Sequence, residues 1–370
     1  MRILFLTNIP SPYRVDFFQE LGKLCELTVL YELESASDRD STWKRKIYEL
    51  SYREIYLKPI IKQDSSAFCP SVKKYLNKKD YDAVIVGVYS TPTGMYAIHY
   101  MKRKRMPYWI SCDGGMISTD NRIKYTLKKY FLSEAEGYLS SSEICDNYLS
   151  YYGAGKEKIH RYPFTSVRSR DILRISVSEE EKQRWRDALQ MQESFIFLTV
   201  GQFIYRKGYD LLLKAAEGLD RDTGIYIVGG NPTEEYLELR KKLALKNVHF
   251  IGFQDKDTLQ KYYRAADVFV FPTREDIWGL VINEAMANGL PVITTNKCVA
   301  GMELIRGNGR IISAESVEEI REAMKDYEKM EKRRLKNESV KSLEIIKNYS
   351  IENMAKEYIN VFKRYGKQDW

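Results

Sequence analysis

Residues 271–292 read Phe-Pro-Thr-Arg-Glu-Asp-Ile-Trp-Gly-Leu-Val-Ile-Asn-Glu-Ala-Met-Ala-Asn-Gly-Leu-Pro-Val. An apolar run ends at Pro272, a loop with two carboxylates follows, and a helical segment runs from Gly279 to a common stop signal, Asn288-Gly289. Gly279 lets the backbone approach a ligand. The N–H groups of Gly279, Leu280 and Val281 open the helix without partners inside it, so they can hold a phosphate. Glu284 falls one turn further on, within reach of hydroxyls beside that phosphate, and Asp276 lies on the loop at its mouth. Two carboxylates around an anion site suit hydroxyl-rich groups on either side of a diphosphate. The plainer alternative makes Asp276 a helix cap and Glu284 a surface acid.

A second stretch, Val200-Gly201-Gln202-Phe203-Ile204-Tyr205-Arg206-Lys207-Gly208, places two adjacent cations between the end of an apolar run and the start of a helix. Arginine can clamp a phosphate with paired N–H donors, and lysine adds a mobile point charge. In isolation this reads as a solvated turn, and its position before the acidic segment makes it a diphosphate-site candidate. Weaker signals are the glycine turn at Gly229-Gly230 and Asp113 before Gly114-Gly115. Asp113 is either a turn cap or a group facing a substrate.

These residues need a scaffold. Apolar runs at 3–8, 27–31, 55–58, 83–89, 108–112 and 137–141 alternate with amphipathic stretches such as 93–103 and 121–132. The rhythm repeats at 195–200, 225–229, 248–253, 268–272, 291–295 and 309–312, separated by helical segments at 208–218, 234–245, 256–266 and 281–288. Short buried runs alternating with helices predict parallel sheets covered on both faces. Two series predict two Rossmann-like doubly wound domains: 1–170, with a C-terminal helix at 351–370 packing back onto it, and 171–350. Residues 33–50 and 59–70 read as loops inserted in the first domain, and Asn8 to Arg14, with two prolines, as a stiff loop. Ligands of open parallel sheets sit at the carboxyl ends of the strands, where the candidates fall.

The acidic segment resembles the signature of family 4 retaining glycosyltransferases, of the kind that build bacterial surface polysaccharides. That signature is an acid, seven residues, a glutamate, then Ala-Met-Ala-x-Gly-x-Pro-Val. The resemblance implies the GT-B fold, two Rossmann-like domains facing across a cleft. It also implies transfer of a sugar from a nucleotide-diphosphate donor to a hydroxyl, with retention and without metal. Glu284 would then bind the nucleotide ribose and Asp276 the donor sugar, with aspartate where the family usually has glutamate. Gly201 to Gly208 resembles the family's Gly-Arg-x-x-x-x-Lys-Gly motif. Lys207 and Gly208 match, Gln202 replaces the usual arginine, and Arg206 supplies the missing charge. Gly230 and Phe253 would line the nucleotide pocket, and Asp113 stands where the family often has histidine beside the reacting sugar. No carboxylate is placed as a nucleophile, so the expected route is same-face attack with the leaving phosphate as base.

The resemblance further implies a nucleotide sugar, a UDP-sugar favoured, as substrate rather than any cofactor. The acceptor is expected to be a glycan or lipid-linked glycan in capsule, exopolysaccharide or O-antigen synthesis. Competing readings are a nucleotide-sugar epimerase of the same architecture, a non-catalytic sugar-nucleotide-binding subunit, and a nucleic-acid reader. No nucleic-acid recognition motif supports the last.

Composition narrows the rest. The five cysteines are scattered without a CxxC pair and there are three histidines, which argues against a disulfide framework or a zinc centre. Asp38-Arg39-Asp40 is a literal DxD, yet it lies in a polar stretch and is not expected to hold metal. The first residues do not read as a signal peptide, and a cytoplasmic protein is expected. The net charge of +8 is confined to one half. Residues 1–170 hold 27 Lys/Arg against 19 Asp/Glu, and residues 171–370 hold 32 of each. That asymmetry suggests an anionic membrane surface as a partner of the first domain, on the inner face of the membrane, or a plain solvated basic surface.

Overall fold

The computed structural model describes residues 1–35 and 49–365, so Asp38-Arg39-Asp40 lies outside the described residues. The chain divides into two compact units, Met1–Ser166 with Ser350–Trp370, and Val167–Tyr349.

The first unit is built on strands β1 (Arg2–Thr7), β2 (Glu26–Tyr31), β3 (Arg53–Tyr56), β4 (Ile61–Gln63), β5 (Ser66–Phe68), β6 (Ala83–Val86), β7 (Trp109–Cys112), β8 (Gly137–Ser140) and β9 (Ile159–Arg161). Seven of these form a parallel sheet in the order β3-β2-β1-β6-β7-β8-β9. β1 is in register with β2 through Phe5↔Val29 and with β6 through Phe5↔Ile85. Leu4, Leu6, Val84, Val86 and Ile110 line one core beneath the helix Pro92–Lys104. The C-terminal helix Ile351–Tyr365 belongs to this unit. Its Tyr358 hydroxyl lies 2.7 Å from Ser111 Oγ, and Phe362 meets Trp109 at 4.8 Å between ring centroids.

Two expected loops are otherwise. The second proline of the Asn8–Arg14 stretch starts a helix, Pro12–Gly22, because proline's fixed φ and missing N–H suit the first helical turn. Residues 59–70 contain the antiparallel hairpin β4–β5, not a plain loop. Its Ala67 N–H donates to buried Glu32 (3.0 Å) and its Ala67 carbonyl accepts from Thr93 Oγ1 (2.6 Å), which ties the hairpin to the sheet.

The second unit carries β10 (Phe195–Val200), β11 (Thr223–Val228), β12 (Val248–Ile251), β13 (Val268–Phe271), β14 (Val292–Thr295) and β15 (Gly309–Ile312). They form a parallel sheet in the order β12-β11-β10-β13-β14-β15. From β10 the chain first steps outward to β11 and β12, then returns to place β13 on the other side of β10. The order therefore reverses between β10 and β13, and the loops leaving these two strands part around a crevice at their carboxyl ends.

Candidate active site

The loop after β10 and the loop after β13 carry the strongest sequence candidates, and the fold brings them together. After Val200 the chain turns at Gly201 (φ 151°), runs past exposed Gln202, and makes a short 3-10 turn, Tyr205–Lys207. Gly208 ends that turn with φ 69°, and a Cβ there would lie 2.1 Å from the Pro272 carbonyl oxygen. Only glycine fits both the left-handed backbone and the approach of the second loop. Thr273 Oγ1 (2.9 Å) and the Arg274 N–H (2.8 Å) then donate to the Arg206 carbonyl, fixing one loop against the other.

Arg206 and Lys207 converge on Asp276. Arg206 Nη1 lies 2.8 Å and Lys207 Nζ 2.9 Å from the same oxygen, Asp276 Oδ2. Lys207 Nζ also sits 4.5 Å from the centre of the Phe271 ring. Burial pushes the Asp276 pKa up, but the charges of Lys207 and Arg206 outweigh it and hold the carboxyl below the usual carboxylate range. Its backbone is pinned as well, with Asp276 N–H donating to the Lys297 carbonyl (2.9 Å) and the Val299 N–H donating to the Asp276 carbonyl (3.2 Å).

Two residues further on, the indole N–H of buried Trp278 donates to Asn283 Oδ1 (2.8 Å). Gly279 (φ 99°) then opens the helix Leu280–Ala287, and a Cβ at Gly279 would lie 2.7 Å from Cys298 Sγ. The helix begins at Leu280 directly beyond the Asp276 loop, so its positive end and its first N–H groups, including that of Val281, stand at the carboxyl end of β13. Glu284 is half-buried one turn in, and its Oε2 accepts a hydrogen bond from the Tyr263 hydroxyl at 3.0 Å. Gly230 follows β11 with φ 143° and open space where a side chain would be, and Phe253 follows β12, half-exposed. Glu303 is half-buried in the helix Val299–Leu304.

Asp113 belongs to the other unit, just after β7. Its carboxylate pairs with the buried Arg14 guanidinium and accepts a hydrogen bond from the Tyr162 hydroxyl at 2.7 Å. It is thus engaged by its own unit.

Two contributors escape the sequence reading. Arg274 reaches Asp210 with two bonds of 2.8 Å, donates to the Tyr205 carbonyl (2.7 Å) and lies 3.8 Å over the Tyr205 ring. It braces the turn that carries Arg206 and Lys207. Tyr263, which orients Glu284, is a buried helix residue with no local signal beyond apolar periodicity.

This arrangement forms a candidate ligand site at the topological switch point of a doubly wound sheet, with two cations and Asp276 in adjoining loops and Glu284 in the helix that opens beside them. Residues 181–341 match the family model for glycosyl transferases group 1. An uncharacterized glycosyltransferase of Methanocaldococcus jannaschii is 29% identical over 288 residues, 70% of each chain. The lipopolysaccharide glucosyltransferase WaaG of Escherichia coli is 27% identical over 194 residues, 50% of this chain and 51% of that one, so the match spans about half of that relative. The solved structure of Anabaena HepE in complex with UDP and glucose superposes with a TM-score of 0.75 at 16% identity, covering 98% of this chain and 99% of that one. The fold is GT-B. The family match and these relatives support the group 1 family, and the chain is a glycosyltransferase.

Proposed function

We propose that this glycosyltransferase moves a sugar from a nucleotide-diphosphate donor, a UDP-sugar by preference, to a hydroxyl of a lipid-linked glycan, with retention and without a metal ion. The observation that carries the reading is the convergence of Arg206, Lys207, Asp276 and the helix N-terminus at Gly279 on one switch point. As the bond from the anomeric carbon to the leaving phosphate oxygen breaks, positive charge grows on the sugar ring and negative charge on the diphosphate. Arg206, Lys207 and the amides of Leu280 and Val281 stabilise that negative charge where it develops. Asp276 contacts the sugar, Glu284 the ribose hydroxyls, and Gly201, Gln202, Gly230 and Phe253 border the nucleotide. The acceptor hydroxyl attacks from the face the diphosphate leaves, and its proton passes to the departing phosphate oxygen. Asp113, held by Arg14 and Tyr162, shapes the acceptor side.

The relatives lend this reading its donor and setting: HepE was crystallised with UDP and glucose, and WaaG is a lipopolysaccharide glucosyltransferase. Among the described residues no helix is long and apolar enough to cross a membrane. The proposed place of work is the cytoplasmic face, with the basic first unit against anionic lipid. A thermal-shift screen against UDP-, GDP-, ADP- and dTDP-sugars tests the donor, followed by transfer to lipid extracts. Stabilisation by one nucleotide sugar and a labelled lipid product are expected. A new sugar nucleotide formed from donor alone would indicate epimerisation instead, and binding without transfer would indicate a non-catalytic subunit.

A further inference from the structure

The helix Arg122–Leu132 of the first unit packs Tyr125, Phe131 and Leu132 against the core but turns three other apolar residues to solvent. Asn121 caps it by accepting from the Lys124 N–H at 2.9 Å, so the helix is well begun. At about 100° per residue, the partly or fully buried residues Tyr125, Lys128 and Leu132 fall on one face. Ile123, Leu127 and Tyr130, spaced four and three residues apart, fall on the opposite face. They are 81%, 50% and 39% exposed, and Ile117 in the preceding loop is 50% exposed. Ile123 and Leu127 face solvent, and an exposed apolar patch of this kind marks a contact surface.

The charges say which kind. Arg122 and Lys129 flank the stripe on one side and Lys124 on the other, all exposed. The last turn of the helix Pro92–Lys104 lies alongside, because Lys102 Nζ sits 4.3 Å from the centre of the Tyr130 ring and His99 Nδ1 lies 2.7 Å from the Tyr130 hydroxyl. That turn and the residue after it also hold exposed Arg103, Lys104 and Arg105. The nearby acids are already engaged: Asp120 by Lys124 (3.1 Å) and Lys128 (2.8 Å), and Glu134 by Lys102 (3.2 Å). A second copy docking on this face would bring like charges together. An anionic bilayer satisfies both features at once, with apolar side chains entering the acyl boundary and cations meeting the headgroups.

We infer that the helix Arg122–Leu132, with Ile117, is a bilayer-docking element that lies flat in the headgroup layer of an anionic membrane. This rests on the reading of a lipid-linked acceptor, for which it supplies the attachment to the surface bearing that acceptor. No span is required, since an interfacial helix needs only its apolar stripe in contact with lipid.

The test is sedimentation of the full chain with vesicles of phosphatidylcholine alone and of phosphatidylcholine mixed with phosphatidylglycerol, at low and high salt. Wild type is expected to partition onto the mixed vesicles and to be released by salt. Ile123→Glu combined with Leu127→Glu should lower that partition by about tenfold or more, with unfolding temperature and UDP affinity unchanged. Arg122→Gln with Lys129→Gln should weaken it while leaving the apolar stripe intact. Equal partition onto both vesicle types, or no loss in either double variant, would overturn the inference. So would gel filtration showing that the glutamate variant splits a wild-type dimer. Failure of the functional reading would show separately, as absence of nucleotide-sugar binding in a protein that still sediments with anionic vesicles.

Discussion

Lys207 Nζ and Asp276 Oδ2 lie 2.9 Å apart although 69 residues separate them, and Arg206 shares the same oxygen. The carboxylate assigned to the donor sugar thus pairs with both cations assigned to the diphosphate and leaves the cluster with one net positive charge. A diphosphate arriving at this corner must share these cations with Asp276 or draw them away. Asp276→Asn should therefore tighten binding of UDP by about threefold to tenfold while slowing sugar transfer by at least about tenfold. Calorimetry and a donor-consumption assay separate the two effects, and weaker UDP binding in the variant would show that the carboxylate does not compete.

Gly208 is the steric hinge of the site. Its φ is 69°, and a Cβ placed there would come within 2.1 Å of the Pro272 carbonyl oxygen, which leaves no room for alanine. Gly208→Ala should destabilise the chain by more than about 1 kcal/mol and displace Lys207, so denaturant midpoint and turnover should fall together. Gly230→Ala, where the space is open, should cost less stability, measured in the same titration.

Arg274 acts at one remove, by holding the turn that carries the cations. Burial raises the Asp210 pKa, but the Arg274 guanidinium overcomes this and holds it low. Arg274→Gln should cost on the order of 2 kcal/mol, since the pair is only partly exposed and charge-assisted, and should lower kcat more than it raises KM. Arg274→Lys should recover only part of the loss, because lysine cannot reproduce the forked contact. Equal activity of Arg274→Gln and wild type would remove the bracing role.

Glu32 gives the first unit a pH dependence. It is fully buried, accepts from the Thr91 hydroxyl and the Ala67 N–H, and burial pushes its pKa up to about 7. The folded state then holds a proton that the unfolded chain releases at lower pH. This group favours folding most at acidic pH, and its contribution is lost as pH rises through about 7. Glu32→Gln should flatten that part of the stability profile, by a few kcal/mol between about pH 5 and pH 8. Denaturant titrations at several pH values check it, and an unchanged slope would contradict it.

Much of this fold is legible in the sequence because the strands of parallel sheets are continuous apolar runs, and the central stretches of β1, β10 and β13 are interrupted by neither charge nor glycine. β9 escapes such a reading: Ile159–Arg161 is a short edge strand containing His160 and Arg161, so it lacks an apolar signature. The β4–β5 hairpin reads as loop because its pairing is fixed by buried Glu32 and Thr93, which are distant in sequence. In the site, glycines and acids after strand ends can be picked out, since a strand-to-helix turn imposes local rules. Which charges meet is not legible in the same way. The contacts of Arg206 and Lys207 with Asp276, of Arg274 with Asp210 and of Tyr263 with Glu284 are set by strand order, and strand order is not a local property.

Donor consumption by Lys207→Ala and Glu284→Ala, measured beside wild type with the favoured nucleotide sugar, bears most directly on the site. Each variant should remain folded and turn over at least about tenfold more slowly, Lys207→Ala through the diphosphate and Glu284→Ala through the ribose. Wild-type rates in both folded variants would place the donor elsewhere than at the carboxyl ends of β10 and β13.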